Sequence, residues 1–281
     1  MKQETAKEEE LRKAVRKGYA KVAKQDNSCC APAPSTCGCT TLTSEELSKR
    51  IGYDQQEIDS VPEGANLGLG CGNPIALASL KQGETVLDLG SGAGVDCFLA
   101  ANKVGRTGKV IGVDMTPEMI DKARANARKG KYSNVEFRLG EIENLPVADS
   151  TADIIISNCV INLSPNKKRV FQEAFRALKP DGRLMVSDIV LTKPLPDVIQ
   201  NNIEAYVGCL SGAEIKDEYL RLIEAAGFKQ VKILEESHFS MEDMISDPTA
   251  QAVMKNSKTS SQEMKKLAST IASVKVSGIK N

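Results

Sequence analysis

From residue 84 onward the chain alternates short apolar runs rich in valine and isoleucine with segments of helical periodicity. The predicted strands occupy residues 84–89, 109–115, 135–139, 152–157, 182–190 and 229–236. Helices are predicted to begin near Val95, Pro117 and Pro165, and Thr116 and Ser164 are the predicted N-caps of the last two. Such alternation is typical of a parallel sheet that helices cover on both faces. The sequence therefore predicts an α/β fold with a doubly wound, mostly parallel sheet.

The segment before this alternation has a different character. Residues 4–24 form a predicted charged helix, and residues 26–41 form a predicted loop or arm that carries four cysteines. Thr43 and Glu46 have the spacing of a capping box. Asn73, followed by proline after the glycine-rich turn at 66–74, suits the start of a helix. We therefore expect an N-terminal helical cap with a cysteine-rich arm.

The segment after residue 195 is less regular. Two helices are predicted before the strand at 229–236, and the tail from Ser240 reads as short polar helices. These patterns divide the chain into residues 1–65 (helix and arm), 66–195 (ligand-binding domain) and 196–281 (a small extension that closes over the substrate).

Charge and residue counts exclude several classes of protein. Lysine plus arginine and aspartate plus glutamate each number 37, so no global positive field attracts nucleic acid. The chain contains no run of 18 apolar residues, and its first residues are charged, so we expect a cytoplasmic protein.

We expect that chain to act as a monomer without a nucleic-acid or membrane partner. The single histidine, His238, makes histidine-based metal binding or catalysis improbable, and we expect a packing or solvent-facing role for it. Eight cysteines in a cytosolic chain indicate metal-binding, redox or nucleophilic thiols before a disulfide framework.

The segment VLDLGSGAG, residues 86–94, is a predicted strand that runs into a glycine-rich turn and then a helix. Gly90, Gly92 and Gly94 let a ligand approach the backbone, and Asp114 ends the next strand, where a carboxylate can accept both hydroxyls of a ribose. NAD is the rival ligand, but Val95 stands where its motif requires glycine. Asp88 would also repel a pyrophosphate, whereas it suits a cationic ligand such as S-adenosylmethionine.

These residues resemble the first motif of the class I S-adenosylmethionine-dependent methyltransferase superfamily, which has a Rossmann-like fold. The resemblance implies that S-adenosylmethionine binds at Asp88, Gly90, Gly92 and Gly94. It also implies that the cofactor site includes Asp114, Met115, Glu141, Ile142 and Asn158, with Glu141 and Ile142 beside the adenine. The superfamily places its reacting centre at the segment that here reads SNCVINL, residues 157–163.

That reacting centre offers Cys159 where many small-molecule methyltransferases present an acid or base. Cys71 and Cys209 each lie beside glycine in loop-like segments, so the three thiols are able to converge above the sheet. Three thiolates without histidine form a soft site that suits trivalent arsenic. The arsenic lone pair attacks a methyl group without a general base, so catalysis would come mainly from positioning.

With these thiols the chain resembles the arsenite methyltransferase family over roughly residues 10–235. Four stretches carry the resemblance: GYAKVAKQDNSCC, LGLGCGNP, the block from VLDLGSGAGVDCFLAA to SNCVINL, and YVGCLSGA. It implies that Cys159 and Cys209 hold arsenic and that Cys71 is the third thiol and redox partner. It also implies a functional cysteine nearer the N-terminus, which is Cys30, Cys37 or Cys39, with Cys39 favoured. The expected substrates are arsenite and methylated trivalent arsenicals, and a small thiol or thioredoxin is the expected reductant.

Other interpretations of the thiols remain open at this point. Cys97 follows the glycine turn on a helix and is interpreted as a buried structural thiol. Cys29, Cys30, Cys37 and Cys39 are alternatively a zinc site, although their spacing fits zinc knuckles poorly. The alternative functions are methylation of a small organic molecule and binding of a metalloid without catalysis. Methylation of an organic molecule is disfavoured because the chain has no tryptophan and an aromatic content of only 4%. Production of S-adenosylhomocysteine would distinguish an enzyme from a protein that only binds the metalloid.

Overall fold

A computed structural model describes residues 2–24, 43–200, 202–238 and 268–281 of the chain. One sheet of seven strands organises these residues, in the order β3-β2-β1-β4-β5-β7-β6. The strands are β1 Thr85–Leu89, β2 Lys109–Asp114, β3 Val135–Leu139, β4 Ala152–Asn158, β5 Leu178–Leu191, β6 Lys229–His238 and β7 Ile271–Ile279. The five strands β1 to β5 are mutually parallel, and only β7 runs antiparallel to its neighbours. The predicted doubly wound, mostly parallel sheet is confirmed.

Ten α-helices lie within the described residues, and most are short. They are α1 Lys2–Lys24, α2 Ser44–Arg50, α3 Gln55–Asp59, α4 Pro74–Leu77, α5 Val95–Val104, α6 Pro117–Lys129, α7 Lys167–Ala177, α8 Asp197–Gln200, α9 Ile203–Val207 and α10 Lys216–Ala225. The predicted capping box of Thr43 and Glu46 opens α2, and the Asn73 side chain caps α4. None of the helices in the described part of the chain is long and apolar enough to cross a bilayer.

The tail contains a strand where the sequence pattern predicted only polar helices. Strand β7 lies inside the sheet, hydrogen-bonded to β5 on one side and to β6 on the other. Its apolar residues Ile271, Val274 and Val276 are buried, with serines and a lysine between them. A strand paired on both edges tolerates such residues because the sheet satisfies its whole backbone.

The start of α7 also differs from the prediction. Ser164 does not cap the helix, because α7 begins only at Lys167. The Ser164 hydroxyl donates to Glu143 (2.7 Å) and accepts the N–H of Asn166. The side chain of Asn166 caps the helix instead, by accepting the N–H of Arg169. Thr116 does occupy the N-cap position of α6, but its side chain makes no capping hydrogen bond.

Two apolar layers enclose the sheet. Side chains alternate along β1, so Leu87 and Leu89 face one layer while Val86 faces the other. The first layer contains Phe171 and Tyr219 from the helices α7 and α10, and the second contains aromatic and aliphatic side chains of α5 and α6. Because both faces are covered, the carboxyl edge of the parallel strands is the part of the sheet left for a ligand.

Helix α1 crosses that edge. It packs against α6 and α9, and Gly18 lies so close to Val207 that an added Cβ would stand 2.7 Å from a valine methyl. Near its end, the carbonyl of Ala23 accepts a hydrogen bond from Lys122 of α6 (3.2 Å). The predicted helical cap therefore lies over the end of the sheet.

Candidate functional site

A cavity of about 870 Å³ opens at the carboxyl edge of β1, β2 and β4, beneath α1. Its walls come from the turn after β1, the ends of β2 and β4, the turn before α4, and the loop after α9. Many of the residues predicted for the site line it: Cys71, Asp88, Gly90, Gly92, Asp114, Met115, Ile142, Asn158, Cys159 and Cys209. The structure thus brings together residues from across 140 positions of sequence.

The glycine turn after β1 is held in a backbone conformation that suits glycine. Gly90, Gly92 and Gly94 have φ angles of 73°, 51° and 101°, all in the left-handed region. A Cβ on Gly90 would stand 2.3 Å from a Val160 methyl, whereas at Gly92 nothing lies within 4 Å. Gly92 therefore leaves open space on the cavity side, where a ligand can approach the backbone.

Asp114 closes this turn from the end of β2. Its carboxylate accepts the N–H groups of Gly92 (3.0 Å) and Thr116 (2.8 Å). Burial raises the pKa of Asp114, and these two backbone hydrogen bonds counter that rise. A carboxylate fixed in this way at the cavity wall is able to accept hydrogen bonds from a ligand's hydroxyl groups.

Two further acids lie beneath the turn, and both are buried. The Asp88 carboxylate accepts a hydrogen bond from the Cys97 thiol (3.2 Å), and burial together with the neighbouring Asp96 raises its pKa well above the usual range. Burial raises the pKa of Asp96 to about 6, although the Tyr53 hydroxyl donates to it at 2.6 Å. The hydrogen bond to Asp88 agrees with a structural role for Cys97.

The segment after β3 places its two acids differently. Glu141 faces Arg12 of α1, with 3.6 Å between its Oε2 and the Arg12 Nε. Glu143 is 4% exposed, lines the cavity with Ile142, and accepts the hydroxyl of Ser164. Glu141 was predicted beside the adenine together with Ile142, but it is not among the residues that line the cavity.

The three thiols predicted to act together lie together. Cys71, Cys159 and Cys209 are free and buried in one cluster. The Cys209 thiol donates to the carbonyl of Cys159 at 2.9 Å, and the Cys71 Sγ lies 3.6 Å from the carbonyl of Ser187. Contacts with the thiols of Cys209 and Cys71 raise the pKa of Cys159 well above its usual range, and burial raises that of Cys71.

Two of these cysteines have strained backbones. Cys159 and Cys209 have φ angles of 59° and 65°, in the left-handed region that residues with a Cβ rarely adopt. Such strain persists only where the surrounding structure imposes it, and it concentrates at functional sites. The backbone carbonyl of Ser187 accepts the N–H of Cys159 (2.8 Å), which helps to hold that residue in place.

Asn158 fixes the turn that carries Cys71. Its side-chain oxygen accepts the Cys71 N–H (3.0 Å), and its amide nitrogen donates to the Gly72 carbonyl (2.7 Å) and the Tyr53 hydroxyl (2.8 Å). From the other side, Ser273 of β7 donates to the Cys71 carbonyl at 2.7 Å. Asn158 was predicted at the cofactor site, and the structure adds this anchoring of the thiol turn.

Helix α1 contributes a residue that sequence reasoning missed. The Tyr19 hydroxyl lies 4.0 Å from the Cys209 Sγ, and burial raises the pKa of Tyr19 well above its usual range. Tyr19 and Met115 pack against the thiol cluster. The sequence offered two signals, the recurrence of apolar residues along the helix and the stretch GYAKVAKQDNSCC that carries the resemblance. Neither shows which residues Tyr19 packs against.

The remaining candidates from the sequence are the four cysteines of the N-terminal arm and His238. Cys29, Cys30, Cys37 and Cys39 fall outside the described residues. His238 lines the rim of the cavity with its side chain 58% exposed, 3.8 Å from Glu236.

Comparisons with known proteins agree with this geometry. Residues 80–227 match the family described as "Methyltransferase domain". The chain is 51% identical over 230 residues to an arsenite methyltransferase of Halobacterium salinarum, and the match covers 80% of this chain and 59% of that protein. It is 35% identical to the arsenite methyltransferase of Homo sapiens, with 78% and 58% covered. The chain thus spans about three fifths of the length of these two relatives.

A solved structure resembles the chain over most of its length. The crystal structure of an arsenic(III) S-adenosylmethionine methyltransferase from Chlamydomonas reinhardtii superposes with a TM-score of 0.62 at 30% sequence identity. The superposition covers 84% of this chain and 73% of that one.

Proposed function

Since the chain belongs to the arsenite methyltransferase family of S-adenosylmethionine-dependent methyltransferases, we propose that it methylates trivalent arsenic. One observation carries the proposal: three free, buried thiols from three separate loops line the same cavity as the glycine turn. In this proposal Cys71, Cys159 and Cys209 hold the arsenic, and the products are methylated arsenicals and S-adenosylhomocysteine.

The residues of the cavity fit S-adenosylmethionine, which supplies an electrophilic methyl group on a cationic sulfur. Asp114 would accept the ribose hydroxyls, and Gly90, Gly92 and Gly94 would lie against the amino-acid part of the ligand. The open side of Gly92 and the buried Ser91 hydroxyl, which has no hydrogen-bond partner among the described residues, support this placement. NAD is disfavoured because Val95 stands where its motif requires glycine.

The adenine would lie against the segment after β3. We place it beside Ile142 and Glu143, since both line the cavity. Glu141 remains the alternative, and its ion pair with Arg12 would instead fasten α1 over the bound cofactor.

The thiols bind arsenic by exchange. Three thiols replace the three hydroxyls of arsenous acid, and each thiol proton leaves with a hydroxyl as water. The arsenic lone pair then forms the new bond to carbon, and the pair of the breaking carbon–sulfur bond stays on the sulfur of the departing S-adenosylhomocysteine. No proton is removed from the nucleophile, so the chain has to supply position and not a base.

Arsenic becomes pentavalent in this step, so a further methylation requires an electron pair from a thiol reductant. We assign that role to Cys71 with a cysteine of the arm, of which Cys39 is favoured, and to thioredoxin or a small thiol as the external donor. A cytoplasmic monomer remains our prediction, because the mechanism needs reduced thiols.

The proposal is tested by incubating the protein with arsenite, S-adenosylmethionine and a thiol, and by separating the arsenic products and S-adenosylhomocysteine. Cys159→Ser and Cys209→Ser are each expected to abolish methylation, because a hydroxyl is a hard ligand that cannot replace a thiolate on arsenic. Cys97→Ser is the matched control and should keep most of the activity. Arsenite uptake without any S-adenosylhomocysteine would mean that the protein is only a binder.

A further inference from the structure

A carboxyl group lies directly behind two of the three thiols. Asp188 belongs to β5 and is fully buried. One carboxylate oxygen of Asp188 and the Sγ atoms of Cys71 and Cys159 all lie within 4.8 Å of one another. The mechanism proposed above makes no use of this acid.

The hydrogen bonds of Asp188 leave one oxygen free. Oδ2 accepts the Tyr219 hydroxyl at 2.8 Å, while no donor among the described residues reaches Oδ1 in hydrogen-bond geometry. The backbone amides of Ile161 and Ile189 and the ammonium of Lys167 are close enough to favour the charged carboxylate, although burial raises its pKa. A buried acid with an unpartnered oxygen costs free energy unless a ligand satisfies it.

We propose that Cys71, Cys159 and Asp188 form a binding site for a divalent cation of the zinc class, with the fourth position open towards the cavity. Two sulfurs and one oxygen are ligands that Zn²⁺ accepts, and three protein ligands with one open position are typical of accessible zinc sites. The ligand atoms need to approach by roughly 1 Å to reach tetrahedral separations. Two thiolates and one carboxylate exceed the charge of Zn²⁺ by one, and the nearby ammonium of Lys167, which also faces Glu214 at 3.6 Å, offsets part of that excess.

This set of ligands differs from the one proposed for arsenic in one residue, because Asp188 takes the place of Cys209. Trivalent arsenic takes three sulfurs and keeps a lone pair, so it uses Cys209 and has no need of Asp188. Zn²⁺ has no lone pair to attack a methyl group, and it uses Asp188 instead of Cys209. The zinc site therefore stands independently of the proposed function, and only its consequence, competition with arsenite, rests on that function.

The test measures Zn²⁺ affinity on the full reduced chain by competition with a chromophoric chelator. The four arm cysteines are first replaced by serine (C29S/C30S/C37S/C39S), so that they do not contribute. In this background Asp188→Asn is expected to weaken Zn²⁺ binding by about 100-fold or more, because loss of a direct ligand exceeds the 10–100-fold effects typical of groups behind a ligand. Cys71→Ser should weaken it similarly, whereas Cys209→Ser and the control Cys97→Ser should leave it unchanged.

A second measurement protects the test against misfolding of the Asp188→Asn protein. Co²⁺ bound in place of Zn²⁺ gives a sulfur-to-metal charge-transfer band whose intensity increases with the number of thiolates. The background protein and its Cys209→Ser variant should give the same band, at the intensity of two thiolates. A three-thiolate intensity that falls in Cys209→Ser would overturn the proposal, and so would unchanged Zn²⁺ affinity in a folded Asp188→Asn protein.

Arsenite binding in the same variants separates the two proposals. Cys209→Ser should lose arsenite while it keeps Zn²⁺, and Asp188→Asn should keep arsenite while it loses Zn²⁺. If no variant binds arsenite but the zinc pattern holds, the proposed function fails and the zinc site stands.

Discussion

Replacing Asn158 by alanine should destabilise the protein far more than the loss of one surface amide would. Its side chain makes close hydrogen bonds with the N–H of Cys71, the carbonyl of Gly72 and the hydroxyl of Tyr53, and a longer one with Asp96 (3.2 Å). A typical hydrogen bond contributes about 1 kcal/mol net. The three close bonds therefore predict a loss of about 3 kcal/mol in the free energy of unfolding.

Asn162 provides a matched control four residues after the end of β4. Its amide donates a single hydrogen bond, to the carbonyl of Ile189 at 2.6 Å, and its oxygen has no partner among the described residues. Asn162→Ala removes the same atoms but only one hydrogen bond, so it should cost about 1 kcal/mol plus the loss of packing. Asn162 is fully buried while Asn158 is half-buried, so packing alone would rank the two variants in the opposite order.

Urea denaturation of the two reduced variants measures the difference. We expect Asn158→Ala to be less stable than Asn162→Ala by about 2 kcal/mol, with similar slopes against denaturant. Equal stabilities, or a larger loss in Asn162→Ala, would refute the assignment of Asn158 as the anchor of the thiol turn. Alkylation offers a local check, because Cys71 should react faster in Asn158→Ala than in the unmodified chain.

Three further predictions concern the cofactor side of the cavity. Gly90→Ala should abolish S-adenosylmethionine binding in calorimetry because its Cβ would meet a valine methyl at 2.3 Å and distort the turn. Gly92→Ala meets no atom of the described chain within 4 Å, so it should keep the stability of the protein and weaken binding only by filling the space proposed for the ligand. The pKa of Asp96 is raised to about 6, so the native state retains a proton that the unfolded state releases near pH 4. Between pH 4 and 7 the unmodified chain should thus lose up to about 3 kcal/mol of stability relative to Asp96→Asn, and parallel stability curves would contradict this. Glu143→Gln should lower S-adenosylmethionine affinity more than Glu141→Gln does. The reverse order would indicate that the adenine lies beside Glu141 instead of Glu143.

Most of the sheet was predictable because parallel strands that are buried on both faces consist of nearly continuous runs of apolar residues. Runs such as VLDL and ADIII are typical of strands that are buried on both faces. Strand β7 was missed because the tail from Ser240 was interpreted as a whole, and the polar residues before the strand outweigh its apolar ones. Ser164 failed as a cap because α7 begins at Lys167, two residues later than the start that Pro165 indicated, with Asn166 as its N-cap.

The site was predictable to the extent that chemistry limits residue types. A chain with one histidine and several loop cysteines has few ways to build a soft site, so the three thiols were identified before their positions were known. Their backbone strain, the anchoring by Asn158, and the approach of Tyr19 and Asp188 depend on contacts between distant segments. The individual roles of the predicted site residues, and the division at residues 65 and 195, stay predictions.

The hydrogen bond between Ser273 and the Cys71 carbonyl joins residues 202 positions apart. Such distant contacts form late, because the chain must first close a long loop. During synthesis the parallel strands β1 to β5 emerge well before β7, and the turn that carries Cys71 lacks its last support until β7 has entered the sheet. A growing chain therefore exposes its thiols before it can arrange them, and newly made protein should be the form most sensitive to the arsenic that the finished protein would capture.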